Sequence, residues 1–456
     1  VVDQNRSDIA LLYRRAGFGL RPDELDRLAA GSYQAAVDGL LAGLGSAPDP
    51  AGDQVPVPDF VGFQRPDAAV GTPAFQTANR ARTRQVEAEV KQLQSWWMQR
   101  MIVTDTPLRE KLTLFWHGHF ATAVSKVRDA KLMYLQNQLF RSAGSGGFDA
   151  LTQAVAKDGA MMLWLDTGTD KKAHPNENFA REMMELFTLG IGNYTQDDVT
   201  AAARGFTGWV YDRQDYQYYF EAAQHDFGSK SYLGQTGDWN GEDIINIATT
   251  RPESARFVLA GLWSHFAYPV EPGASEVTDI LPAYGGDMQI GSALGAIFNH
   301  PNFRSNLARS GLVKQPIEYL AGAARALGLD ASVNPAAAST IGSAPPVAQG
   351  RSLPQLATAL GQAPFDPPNV GGWGQNAYWL DTATAQIRLD VAIFLARRAD
   401  LTALDEQPVS QRVDFAAQIL GIDGWGSTSR SALEQVVETP VELMALALTA
   451  PEYVCA

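Results

Sequence analysis

The sequence predicts a mainly α, multi-helix globular domain with a small β-hairpin insertion and long Pro/Gly-rich loops, and three observations carry that prediction. Apolar residues recur at spacings of three and four through most of the chain. Prolines and glycines stand at the ends of those runs, where helices start and stop. One short stretch, rich in aromatic and β-branched residues, breaks the helical rhythm.

Taken in order, the helical spacing is first seen at Ile9, Leu12 and Tyr13, then from Tyr33 to Leu44, and then through Thr77 to Val103. Pro107, Pro175, Pro252 and Pro316 fall near the start of later runs, and Gly190, Gly261 and Gly328 at or near the ends of others. Helices are predicted at 107–118, 128–142, 147–157, 176–188, 196–206, 241–249, 252–265, 286–298, 315–327, 353–362, 383–398, 408–420 and 429–449. The hairpin is placed at 209–222, with Trp209–Asp212 and Tyr216–Ala222 joined by Arg213-Gln214-Asp215. Residues 45–76 and 329–352, rich in Pro, Gly, Ala and Ser, read as surface loops or insertions within a single helical domain spanning 1–456.

The 456 residues carry 36 Lys+Arg against 50 Asp+Glu, a formal net charge of −14. Nucleic acid is gripped through its phosphates by clustered cations, so a chain with no basic run is a poor partner for it. No apolar run reaches the roughly 18 residues that a membrane span requires. The single cysteine, Cys455, excludes an internal disulfide and a thiolate metal cluster. The chain opens VVDQNRSD, without an initiator Met, and is read as a mature or trimmed start from which a targeting segment is missing.

The densest polar cluster runs from His174 to Phe187. Asn176 after Pro175 is a good N-cap. At about 100° per residue, Glu177, Arg181, Glu185, Asn178 and Glu182 fall within an arc of about 140°, while Phe179, Met183, Met184, Leu186 and Phe187 take the other side. Such a face is either a solvated surface braced by Glu177–Arg181–Glu185 pairs at four-residue spacing or a site that uses its carboxylates. Arg109–Phe120 contains His117-Gly118-His119, two imidazoles that diverge on a regular helix unless Gly118 permits irregularity. Gln224–Gly228 holds an adjacent His225-Asp226 pair. Phe365–Trp373, followed by Tyr378 and Trp379, is a Pro/Gly loop whose indoles either pack on the core or line a groove.

Together these stretches resemble the domain of unknown function 1800 family. The resemblance rests on His174–Gly190, Tyr194–Val199 and Ala203–Trp209, with Arg109–Phe120, His225–Lys230, Leu233-Gly234 and Pro368–Trp373 following the family's other landmarks in order. Two positions depart from the family's usual form, Gly205 where Ala is commoner and Met183 where Leu is expected. The resemblance implies a bacterial, mostly helical and often exported protein. It also implies a possible exported partner protein of the sulfatase or phosphatase type. It supplies no reaction.

Carboxylates on a helix beside histidines and loop aromatics suit general acid–base hydrolysis, in which surroundings hold one carboxyl protonated and another ionised. The expectation is therefore an exported, glycoside hydrolase-like enzyme acting on a polysaccharide or oligosaccharide, with no cofactor and no metal. Glu177, Glu182, Glu185 and Asp226 are the catalytic candidates. Arg181, Asn178, His117, His119, His225, Trp209 and Trp373 are the substrate-binding candidates. Two alternatives are a metal-dependent hydrolase or oxidase built on His and Glu ligands and a non-catalytic cell-envelope or adhesion protein. Phosphate-cradling Gly loops, a G-x-S-x-G elbow and a dinucleotide fingerprint are absent from the sequence.

Overall fold

The computed structural model describes residues 3–65, 67–330 and 351–455. Among them lie twenty-four helices and two two-stranded antiparallel sheets, which makes the protein mainly α with a small hairpin. No helix among the described residues is long and apolar enough to cross a membrane.

Two apolar cores are built from these helices. The first gathers Gln4–Ala16, Tyr33–Ala42, Phe148–Ala156, the segment 177–206 and the helices between 241 and 299. The second gathers the end of the Pro73–Val103 helix with Pro316–Ala326, Leu353–Ala359, Thr382–Ala396, Val409–Ile419 and Pro440–Thr449. The Pro107–His119 helix runs between them, giving Leu108, Leu112, Phe115 and Trp116 to one core and Leu114 to the other. A helix buried all round needs polar residues satisfied inside, and here Glu110 supplies the hub. Its carboxylate accepts from Arg141 Nε at 2.7 Å and Nη2 at 2.9 Å, from Arg100 Nε at 3.2 Å and from Trp97 Nε1 at 3.1 Å.

Several elements differ from the sequence expectation, each for a local reason. The long helix starts at Pro73 rather than Thr77, because Thr72 Oγ1 caps the Phe75 N–H at 3.2 Å; its first turns are mostly exposed and carry little apolar rhythm. The 45–76 loop is pinned: buried Asp49 accepts from Thr104 Oγ1 at 2.8 Å and Arg100 Nη2 at 3.2 Å, and Gly52–Gln54 forms a 3₁₀ turn. The expected 286–298 helix begins at Ile290, and a separate helix, Ser275–Tyr284, precedes it with Pro282 inside. Between them Gly285 and Met288 take positive φ. The expected 429–449 helix is two, Ser427–Glu434 and Pro440–Thr449, divided where Pro440 can only begin a helix. Of the 329–352 loop, residues 331–350 lie outside the described residues.

The expected hairpin pairs Trp209–Asp212 with Gln217–Phe220, in the register Trp209↔Phe220 to Asp212↔Gln217. A second hairpin was not expected. Lys230–Tyr232 and Gln235–Gly237 are joined by Leu233 and Gly234, both at positive φ, the two-residue turn whose twist matches that of paired strands.

Candidate functional site

The signature segment starts where Asn176 caps the helix Glu177–Glu182. Its side-chain oxygen accepts the Asn178 N–H at 3.0 Å, and its amide donates to the Leu165 carbonyl at 3.2 Å. Asp170, almost wholly buried, accepts the Asn176 N–H at 2.8 Å. Burial raises the Asp170 carboxyl to about 7 against the pull of that hydrogen bond.

The segment 176–188 is not one α-helix as expected, because Met183–Thr188 is a π-turn. Two side chains add hydrogen bonds to carbonyls of the widened turn. Thr188 Oγ1 donates to the Met183 carbonyl at 2.7 Å, and His119 Nε2 meets the Phe187 carbonyl at 2.8 Å. Single π-turns recur at functional sites because they re-aim the side chains around them.

The structure separates the four candidate carboxylates by their company. Glu177 is fully engaged: Oε1 accepts from Thr200 Oγ1 at 2.9 Å, and Oε2 accepts from Gln196 Nε2 at 2.9 Å and faces Arg181 Nη2 at 3.4 Å. Arg181 also donates to Gln196 Oε1 at 2.8 Å. Asp226 is engaged as well, by Arg204 Nε at 2.6 Å and Nη2 at 3.2 Å and by the Gly228 N–H at 2.8 Å. The Arg204 hydrogen bonds hold its carboxyl down at about 2. Gln196, Thr200 and Arg204 are four residues apart on the Gln196–Phe206 helix, so one polar stripe meets Glu177 at one end and Asp226 at the other.

Among the described residues Glu185 has one hydrogen-bond partner, the Tyr194 hydroxyl, which donates to Oε2. Glu182 has none among the described residues. Partial burial first, and the neighbouring Glu185 second, raise the Glu182 carboxyl above the usual glutamate range, with Arg181 opposing.

His119 and Trp373 meet in a cleft of about 340 Å³. Burial lowers His119 to about 4, and with Nε2 on the Phe187 carbonyl its Nδ1 has no hydrogen-bond partner among the described residues. Gly372 brings the Trp373 loop in: at φ +83° it lies so close to Gly118 that a Cβ there would stand 2.3 Å from the Gly118 carbonyl oxygen. Leu186 of the π-turn lines the same cleft, and Glu182 is one turn before it on the helix.

The remaining candidates are placed elsewhere. His117 is buried against Trp97, Phe140 and Phe365, with Nε2 on Asn137 at 3.0 Å, and burial lowers it to about 3. His225 is buried between Phe220 and Phe227, with Nδ1 2.7 Å from the Thr207 carbonyl. Trp209 is wholly buried against Phe206 and Tyr218, a core residue with no face for a sugar. Asn178 and His174 are exposed. Among the described residues no three His, Cys, Asp or Glu side chains gather so as to hold a metal ion.

Two residues of the cleft escaped the sequence reading, His265 and Gln315. His265 Nε2 is buried 3.9 Å from Glu318 Oε1, and Glu318 is bound by Lys111 at 2.6 Å. A signal existed: Phe257, Ala260, Gly261, Ser264 and His265 share one helical face, and its small residues leave the hollow. Neither a curated protein nor a solved structure matches the chain. The family described as "Protein of unknown function (DUF1800)" matches residues 11–455, so the chain belongs to that family.

Proposed function

We propose that the protein is an exported hydrolase that cleaves a polysaccharide by general acid–base catalysis, with Glu182 as the proton donor and Glu185 as the ionised partner. The observation that carries this reading is the asymmetry of the pair. Among the described residues Glu182 has no hydrogen-bond partner and is raised by burial and by Glu185, while Glu185 takes the Tyr194 hydroxyl. Glycosidic cleavage needs one carboxyl that holds a proton and one that does not, roughly 5–10 Å apart. Glu185 follows Glu182 by three residues, in the π-turn, and is near enough for its charge to raise the Glu182 carboxyl.

In this mechanism Glu182 passes its proton to the glycosidic oxygen as the bond breaks. Glu185 takes the proton of a water whose oxygen bonds to the anomeric carbon, or itself bonds that carbon to form an ester, which a water deprotonated by Glu182 then cleaves. Glu182 and Glu185 are not among the residues lining the His119–Trp373 cleft, which Leu186 joins to their turn. In this reading the sugar chain runs from the pair into that cleft, where Trp373 offers a flat surface and His119 Nδ1 an acceptor for a hydroxyl. Glu177 and Asp226, with their oxygens committed to Gln196, Thr200 and Arg204, serve the fold in this reading.

The test is release of reducing ends from a panel of bacterial and plant polysaccharides by the parent and by Glu182→Gln. Loss of roughly 10²-fold in rate with a near-parental melting temperature is expected, the usual scale for a lost proton-transfer group. A Glu182→Gln protein as active as the parent would contradict the assignment. If the parent cleaves nothing on the panel, the hydrolase reading is abandoned for the structural one.

A further inference from the structure

A second cleft, of about 650 Å³, lies between the long Pro73–Val103 helix and the turn at Val124–Arg128. Its helical wall is a single face, since Asn79, Arg82, Thr83, Val86, Glu87, Val90, Lys91 and Gln94 follow at steps of three and four. Across from it stand Lys126, Arg128 and Arg213. Five cations and one carboxylate therefore line one hollow, in a chain whose net charge is −14.

Two of these cations already have carboxylates. Lys126 pairs with Asp166 at 2.8 Å, and Arg213 stands 3.7 Å from Asp129. The other three, Arg82, Lys91 and Arg128, pair with no carboxylate among the described residues. Arg82 and Arg213 lie over the ring of Phe63, 4.4 and 4.5 Å from its centroid, which fixes two guanidinium groups before any ligand arrives. Arg128 is in the left-handed region at φ +52°, a conformation that a side chain other than glycine adopts only where its surroundings impose it. Gathering like charges without counterions costs energy, so such a cluster is compensated when an anion enters.

We infer that this basic cleft binds an acidic polysaccharide, a chain of sugars bearing carboxylate or sulfate groups, at a site separate from the His119–Trp373 cleft. The rest of the lining fits that ligand. Val86, Val90 and Val124 offer apolar contact to sugar C–H faces, and Asn79, Thr83, Gln94 and Ser125 offer polar groups for hydroxyls. Among the described residues no aromatic side chain lines the cleft, so unpaired bases would lack the aromatic platforms that single-strand binders use. The overall negative charge disfavours a long duplex, whose charge density is far higher than that of a uronate or sparsely sulfated glycan. The inference stands independently of the acid–base reading.

The experiment is affinity electrophoresis of the full chain through gels containing polygalacturonate, dextran sulfate or neutral dextran, with binding to a single-stranded oligodeoxynucleotide measured alongside. Polygalacturonate, dextran sulfate or both should retard the protein, dextran should not, and added salt should weaken the retardation. Which of the two acidic polymers retards it distinguishes a carboxylate ligand from a sulfate one. Arg82→Glu/Lys91→Glu should weaken retention by at least about tenfold, the scale of losing two charge-assisted contacts. It should keep the parental melting temperature, because neither side chain is in the core. Arg27→Glu/Lys172→Glu, at two exposed positions outside the cleft, controls for the same change in net charge. Equal retention by dextran, no retention by either acidic polymer, or retention unchanged in the double variant would overturn the inference. Tighter binding of the oligonucleotide through the same two residues would overturn it in favour of nucleic acid.

Discussion

Glu177 and Glu182 share a helix face and differ in everything that approaches that face. Helical geometry places both carboxylates, with Arg181 between them, from the sequence alone. It cannot show that Gln196 and Thr200 reach Glu177 from the next helix while no described residue hydrogen-bonds to Glu182. Trp209 shows the same limit: an indole near a polar signature reads equally as a sugar platform or as core, and only the packing of Phe206 and Tyr218 decides. Two predictions belong at this scale. Trp209→Ala should cost about 3–5 kcal/mol by thermal or urea denaturation, as emptying a wholly buried site does. Asp226→Asn removes the charge that Arg204 holds but leaves Arg204 partly solvated, so about 1 kcal/mol is expected in the same denaturation experiment. A larger loss in activity than in stability for Asp226→Asn would return it to the catalytic group.

At the scale of elements, apolar rhythm and Pro/Gly punctuation made most helices legible, and they failed where a local feature outweighs rhythm. The Ser275–Tyr284 helix carries Pro282 in its last turns, which argues against a helix in any sequence reading. The π-turn was invisible because its surroundings are tertiary: Met183, Met184 and Phe187 are all buried, and His119, from another helix, bonds to the Phe187 carbonyl. Thr188→Val should therefore cost about 1 kcal/mol in a denaturant melt, since it removes the hydroxyl's bond to the Met183 carbonyl. Gly205, noted as a departure from the family's usual Ala, has its own account. A Cβ there would stand 2.6 Å from Ile244 Cγ1. Gly205→Ala should destabilise by about 1–3 kcal/mol in the parent. In an Ile244→Ala background, where the obstruction is gone, the same change should be neutral or stabilising, through helix propensity worth about 1 kcal/mol. Equal effects in both backgrounds would mean that packing at Ile244 does not decide the residue.

Across the whole molecule, the helical class and the hairpin were legible because each depends on residues close in sequence. The clusters that give the molecule its character were not. Glu110, Arg100, Arg141 and Asp49 lie in four separate segments, and no spacing rule predicts that they meet. Burial alone would raise Glu110, yet Arg141 and Arg100 outweigh it and hold the carboxyl at about 2. A carboxyl depressed in the folded state contributes stability that is present above the unfolded value, near 4.5, and lost as pH falls toward 2. The melting temperature should drop through that window, and the drop should be smaller in Glu110→Gln, which should itself be about 3–5 kcal/mol less stable at neutral pH. The central claim, that Glu182 and Glu185 form an acid–base pair, is tested most directly by ¹³C-carboxyl NMR titration of Glu182 in the intact protein and in Glu185→Gln. The account predicts that Glu182 titrates above 4.5 in the parent and falls toward that value once the Glu185 charge is removed. A Glu182 that titrates at or below 4.5 in the parent, or that is unmoved by Glu185→Gln, would contradict it.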